Sequence, residues 1–206
     1  MLSQFNPWKS IWFKPRYTFK KLLINKSSNI IILFAAMYGF IQAVEDLTSN
    51  GQTDTLITAL LSTVTALIFG SISGVIFLYL SAFLLWWTGR WLGGKASTAN
   101  IRIAIGWSYL PLVISTAITL LILILVDQTF VFSDKSLSID STLEWIAVIT
   151  ALILQITGLL LSLRIYVIGI SEAQGFSVLK AIANIMCSIM VILLPSFILL
   201  WIWRLF

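Results

Sequence analysis

Apolar positions along this chain gather into five long blocks, not into the short alternations of strands or the one-sided stripes of soluble helices. The first block covers 27–44 and stops at Glu45 and Asp46, and the others cover 55–88, 103–126, 142–170 and 178–203. Crossing the hydrocarbon of a bilayer takes roughly 20 residues of helix, so the first block is short but sufficient. The second is too long for an upright span, since Thr55 to Thr88 would measure about 51 Å at 1.5 Å per residue. It must tilt, bend or project from the bilayer. Splitting it near Gly70-Ser71-Ile72-Ser73-Gly74 would give six spans. No loop-forming polar run exists there, and lipid tolerates no unpaired backbone. The pattern therefore predicts an all-α membrane protein, a bundle of five transmembrane helices (29–206) behind a short segment, 1–28.

Composition supports lipid as the solvent. Apolar residues make up 59% of the chain and charged residues 10%, with a mean hydropathy of +1.01. Soluble domains carry about a quarter charged residues. Charge then orients the bundle. Lys9, Lys14, Arg16, Lys20, Lys21 and Lys26 precede the first span, and Arg90, Lys95 and Arg102 lie between the second and third. Arg164 and Lys180 flank the fourth connection beside Glu172. The opposite ends hold Glu45, Asp46, Asp54, Asp127, Asp134, Asp140 and Glu144, with only Lys135 and Arg204 as bases. Basic flanks stay cytoplasmic, which places the amino terminus inside and the carboxyl terminus across the membrane. Tryptophans follow the same scheme. Trp86, Trp87, Trp91 and Trp107 are expected at cytoplasmic span ends, and Trp145, Trp201 and Trp203 at the far ends, at headgroup depth.

The opening segment is not a cleavable signal: its apolar stretch is span-length, and no small-x-small site follows. Trp8, Ile11 and Trp12 share one helical face, and Phe19, Leu22 and Leu23 form another after Pro15. Lysines and Arg16 fill the positions between. This predicts one or two amphipathic helices on the cytoplasmic leaflet, held to anionic lipids by basic residues worth roughly 1 kcal/mol each. Lys9, Lys14, Arg16, Lys20, Lys21, Arg90, Lys95 and Arg102 are the candidate contacts to lipid or to a protein partner. Nucleic acid is not an expected partner, because these charges belong at headgroups.

In the second block, Thr58, Ser62, Ala66, Gly70 and Gly74 recur every fourth residue, with Ala59, Thr63 and Ser73 beside them. Small residues at this spacing admit a second helix closely, from the same chain or from another copy in a homo-oligomer. The row drifts by about 40° per step, which suits a crossing. Gln155 and Asn184 are the notable intramembrane polar groups, and Ser108, Ser115, Thr116, Thr119 and Ser188 add hydroxyls. They can line a polar path or hydrogen-bond between helices. No acid or base lies deep in a span, and proton relays and charged-substrate sites normally need one. The chain has no histidine, and its one cysteine, Cys187, sits in an apolar span. No catalytic residue, metal site or cofactor is expected, and enzymatic activity is not.

Leu92-Gly93-Gly94-Lys95, followed by Ile105-Gly106-Trp107-Ser108-Tyr109-Leu110-Pro111, resembles a hallmark of the Yip-domain (Ypt-interacting protein) family. There a glycine-ended second span leads into a third span with a Tyr-x-Pro element. The segment Arg164 to Ala183, with Glu172 and Gly175, resembles the family's fourth cytoplasmic-side turn, and Asn6-Pro7-Trp8 to Arg16 resembles the opening of bacterial members. The resemblance implies that Gly93, Gly94, Tyr109, Pro111, Arg164, Glu172 and Gly175 are structural hallmarks. It also implies five spans with a cytoplasmic amino terminus, and for a short bacterial-type member, residence in the inner membrane. Eukaryotic members, which carry a long region ahead of the first span, are associated with Rab-type GTPases and with the shaping of secretory membranes. Two function classes follow. One is a membrane-organising or adaptor protein working through the basic cytoplasmic face. The other is a small transporter, channel or lipid-moving protein using the polar interior.

Overall fold

The computed structural model describes residues 5–25, 29–49, 56–126 and 142–203. Lys26, Asp54, Asp127, Asp134, Lys135, Asp140 and Arg204 lie outside the described residues, as do the side chains of Thr58, Ala59, Trp201 and Trp203. The described residues form helices and no strand: α1 (Pro7–Phe13), α2 (Pro15–Asn25), α3 (Asn29–Ser49), α4 (Leu56–Thr65), a π-helical turn (Ala66–Gly70), α5 (Ser71–Trp91), α6 (Thr98–Val126), α7 (Thr142–Gln174) and α8 (Val178–Trp203). Five stretches are long and apolar enough to cross a membrane, beginning at Asn29, Leu60, Thr98, Thr142 and Val178. The protein is an integral multi-pass membrane protein. Helices α5, α6 and α7 run past the apolar blocks at one end, because the polar residues that flank those blocks are themselves helical.

The helix ends explain where each span stops. Gly93 takes φ +83°, the left-handed conformation that closes a Schellman motif. The Gly94 N–H donates to Gly89 O at 2.8 Å and the Gly93 N–H to Arg90 O at 3.1 Å. Gly175, at φ +71°, ends α7 likewise, with the Phe176 N–H donating to Ser171 O at 2.9 Å. After each stop a serine caps the next helix: Ser97 Oγ accepts from the Asn100 N–H, and Ser177 Oγ from the Lys180 N–H. A Cβ at Gly93 or Gly175 would meet nothing within 4 Å, so only the backbone resists substitution. Gly93→Ala and Gly175→Ala are each expected to lose about 1–2 kcal/mol in thermal unfolding, and Gly93→Asn distinctly less.

Contacts divide the chain into two compact units. The first comprises Met1–Lys26, Tyr79–Ile105 and Ile165–Phe206, and the second Ser27–Leu78 and Gly106–Arg164. In the first unit, α1 packs on α2, and Thr18 Oγ1 donates to Ser10 Oγ at 2.8 Å. Ile11, Phe19 and Leu22 are buried, with the Phe19 ring beside Gly169 and Ala104. The apolar face expected to rest on lipid is therefore partly spent on protein. What these helices leave exposed is Trp8, Phe13, Tyr17 and Ile24.

In the second unit α6 forms the centre, its positions 106–111 all buried. Ile31 lies against Gly106, Phe34 meets Trp107 edge-on at 5.4 Å, and Tyr38 stacks on Tyr109 at 4.4 Å. Trp107 departs from expectation: it is 2% exposed and serves as a core residue, not a headgroup anchor. Indole is as useful for filling a core as for sitting at an interface, and the sequence alone does not separate the two uses. Pro111 is inside α6 and buried. The outward positions, among them Leu33, Ile57, Phe69, Leu152 and Leu159, are apolar and exposed, as lipid requires.

A polar knot and a glycine crossing as candidate functional site

The first unit holds a knot of buried amides and hydroxyls. Gln174 ends α7 and is 3% exposed, while Asn184 of α8 and Thr88 of α5 are fully buried. Gln174 Nε2 donates to Leu85 O at 3.1 Å, and Asn184 Nδ2 donates to the same carbonyl at 3.2 Å. Thr88 Oγ1 donates to Asn184 Oδ1 at 2.7 Å. The loop joins in, with the Ala96 N–H donating to Gln174 Oε1 at 3.3 Å and the Lys95 N–H to Gln174 O at 3.4 Å. Gly89 and Gly94 clear the space: a Cβ on either would run into the Gln174 amide. The knot ties α5, α7, α8 and the loop after α5 into one body. Its side chains, Gln174, Asn184 and Thr88, include no titratable group. Asn184 reads from the sequence as an intramembrane polar residue, but Gln174, Thr88 and Gly89 do not stand out there. The signal that could have found them is the Gln-Gly pair at a helix end, opposite a Gly-x-x-x-Gly-Gly run.

The same unit holds the basic residues. Lys9, Lys14, Lys20 and Lys21 are exposed, and Arg16 pairs with Glu172 at 3.6 Å. Arg90 lies over the Trp86 ring at 4.9 Å, Arg102 over Tyr79 at 4.3 Å and Lys21 over Tyr17 at 5.8 Å. Lys95 is exposed on the loop after α5. The aromatic contacts hold the guanidinium groups along apolar surface.

The second unit brings together other expected residues. Gln155 Nε2 donates to Thr116 Oγ1 at 3.2 Å, and Ser162 Oγ donates to Ser108 O at 2.7 Å. Thr119 Oγ1 is buried without a hydrogen bond. Gly70 and Gly74 face Gly39 of α3 at backbone distance, and Ala66 is buried on the same side, whereas Ser62 is half-exposed. The π-turn accounts for this alignment. Its i→i+5 bonds widen the turn, so a four-residue step under-rotates there and offsets the over-rotation of the α segments. Arg164 is exposed at the edge of this unit. Among the described residues, no group of three or more His, Cys, Asp or Glu side chains is placed to hold a metal.

The knot draws on residues 85–96 and 174–184, the stretches that carry the glycine-ended span and the Glu172 to Gly175 turn. The Yip1 domain matches residues 9–200. The chain belongs to the Yip1-domain family. Neither a curated protein nor a solved structure matches it. In this Yip1-domain protein Gly93 and Gly175 stop helices, and Gly94 and Gly89 make room for Gln174. Tyr109 stacks in the core, and Glu172 meets Arg16.

Proposed function

We propose that this Yip1-domain protein is a non-enzymatic membrane-organising or adaptor protein of the bacterial inner membrane, with its amino terminus in the cytoplasm and its carboxyl terminus across the membrane. It works through its basic face, which engages anionic lipids and through them, or directly, a protein partner. One observation carries this reading. Lys9, Lys14, Arg16, Lys20, Lys21, Arg90, Lys95, Arg102 and Lys180 all belong to the first unit, where Glu172 is the single acid among the described residues and already pairs with Arg16. Exposed Trp8, Phe13 and Tyr17 add the apolar contacts that interfacial helices use. The adaptor reading is favoured over transport because Gln155 donates to Thr116 and Ser162 to the Ser108 carbonyl, which uses these polar groups between helices.

The test uses the full chain reconstituted in nanodiscs of equal phosphatidylglycerol and phosphatidylcholine, with retained lipid read by native mass spectrometry. Retention of the anionic lipid is expected, and neutralising Lys9, Lys14, Lys20 and Lys21 to glutamine should weaken it tenfold or more. Each basic residue near such a surface contributes about 1 kcal/mol, and a tenfold change needs about 1.4 kcal/mol. Equal retention of the two lipids by the parent protein would defeat the proposal. Ion, solute or lipid flux above that of empty vesicles would replace it with the transport reading.

A further inference from the structure

The second unit carries a recess of about 320 Å³ between α3 and α5, lined by Tyr38, Gln42, Asp46, Ser73 and Phe77 over a floor of small residues. That volume lies in the range of small-molecule sites, roughly 300–1,000 Å³. The floor exists because the two helices touch backbone to backbone at Gly39 and Gly74, which leaves a V between the side chains on either flank. Here α3 and α5 run in opposite senses: Ala43 is near Gly70, and Ala35 near Gly74. Phe77 therefore shares the deep end with Tyr38, and Asp46 stands at the mouth.

Three features of this recess point to an occupant. First, Tyr38, Gln42 and Asp46 follow one another at four-residue steps along α3, and Gln42, inside the span, is exposed. Polar groups within spans ordinarily face the bundle interior or a partner. Second, the stripe has the depth of a lipid head and backbone. Asp46 sits at the end of the span Asn29–Leu47, and Tyr38 lies about 12 Å further in at 1.5 Å per residue. Third, the mouth is acidic, with Glu45 adjacent to Asp46, while Arg164 is the one base among the described residues of this unit. A second copy of the chain docked symmetrically across the groove would bring two acidic mouths together, which like-charge repulsion opposes.

We propose that this recess binds an aminophospholipid of the phosphatidylethanolamine type. Its primary ammonium donates hydrogen bonds to the Asp46 carboxylate, with Glu45 adding field. The Gln42 amide reaches the glycerol ester carbonyls, and the first acyl carbons lie against Phe77 and the Tyr38 ring. A choline head has no N–H to donate, so the carboxylate discriminates against it. This site uses none of the basic residues, and its lipid carries the opposite recognition group.

The test again uses the full chain, in nanodiscs of equal phosphatidylethanolamine and phosphatidylcholine with matched acyl chains. Native mass spectrometry is expected to show the ethanolamine lipid retained about tenfold over the choline lipid. Glu45→Gln with Asp46→Asn should abolish the preference, Gln42→Leu should reduce it several-fold, and Glu144→Gln should leave it intact. Thermal unfolding of each variant separates lost binding from lost folding. Equal retention of both lipids by the parent protein overturns the proposal. So does a preference that survives the double substitution. Phe77→Cys in a Cys187→Ala background tests the other occupant, because efficient cross-linking between copies would show that a second chain fills the groove, which also overturns the proposal.

Discussion

Gly39→Leu is expected to destabilise the protein by more than about 3 kcal/mol, or to prevent its folding, in denaturant titration of the reconstituted chain. The reason is that nothing at this crossing can rotate away. A Cβ on Gly39 would run into the carbonyl oxygen of Gly70 and stand 2.6 Å from Gly74 Cα and 2.7 Å from Gly74 N. Carbon atoms favour separations of about 3.5–4.0 Å, so α3 and α5 would have to part by about an ångström for alanine alone. Overpacking in cores costs about 1–3 kcal/mol where side chains can adjust, and backbone neighbours put this position at the top of that range or beyond. Gly39→Ala should fall within the range. Ser62→Leu, on the same row but half-exposed, should change stability by less than about 0.5 kcal/mol. A Gly39→Leu protein that unfolds with the parent would mean that the helices do not meet at these glycines.

The second large effect is expected at Gln174. Replacing it with leucine keeps the volume but removes the donor to Leu85 O and the acceptor for the Ala96 N–H. Ala96 is 5% exposed, so its N–H loses its partner where water does not readily replace it. A buried polar group left unpaired costs about 1–3 kcal/mol, and since Leu85 O keeps the bond from Asn184, the Ala96 N–H alone puts Gln174→Leu at about 1–3 kcal/mol. Asn184→Leu should lose less, about 1–2 kcal/mol. Its partner Thr88 lies 2.9 Å from Leu84 O and can donate there instead, and Leu85 O keeps the bond from Gln174. Chemical denaturation in bicelles, followed by circular dichroism, measures both. The order of the two losses is the sharper test. Equal losses would mean that packing volume, not the hydrogen bonds, holds the knot.

These positions differ in how far the sequence exposes them. The spans are legible because lipid imposes a length and a composition that nothing else in the chain shares. Gly93 and Gly175 are legible because a glycine just past an apolar block marks a helix stop. Gly70 and Gly74 show through the long row they belong to, whereas Gly39, with Ala35 and Ala43 four residues to either side, belongs to a row of only three small residues. Its role exists only once α3 is laid against α5. Gln174 and Thr88 are hidden for another reason. They stand at block ends, where a polar residue that faces headgroups and one that turns inward look the same. Trp107 misleads in the opposite direction, and the π-turn leaves no mark, since its apolar residues would serve an α-helix equally well.

The knot also has a place in time. Leu85 O waits for Asn184, a residue 99 positions later in the chain, and for Gln174, 89 positions later. Chains are synthesised from the amino terminus, so α5 and its loop reach the membrane long before their partners exist. A chain stopped short of α8 therefore has its spans but lacks the residue that fastens their ends. Completion of the last helix, not insertion of the first four, is the event that separates a finished molecule from an unfinished one.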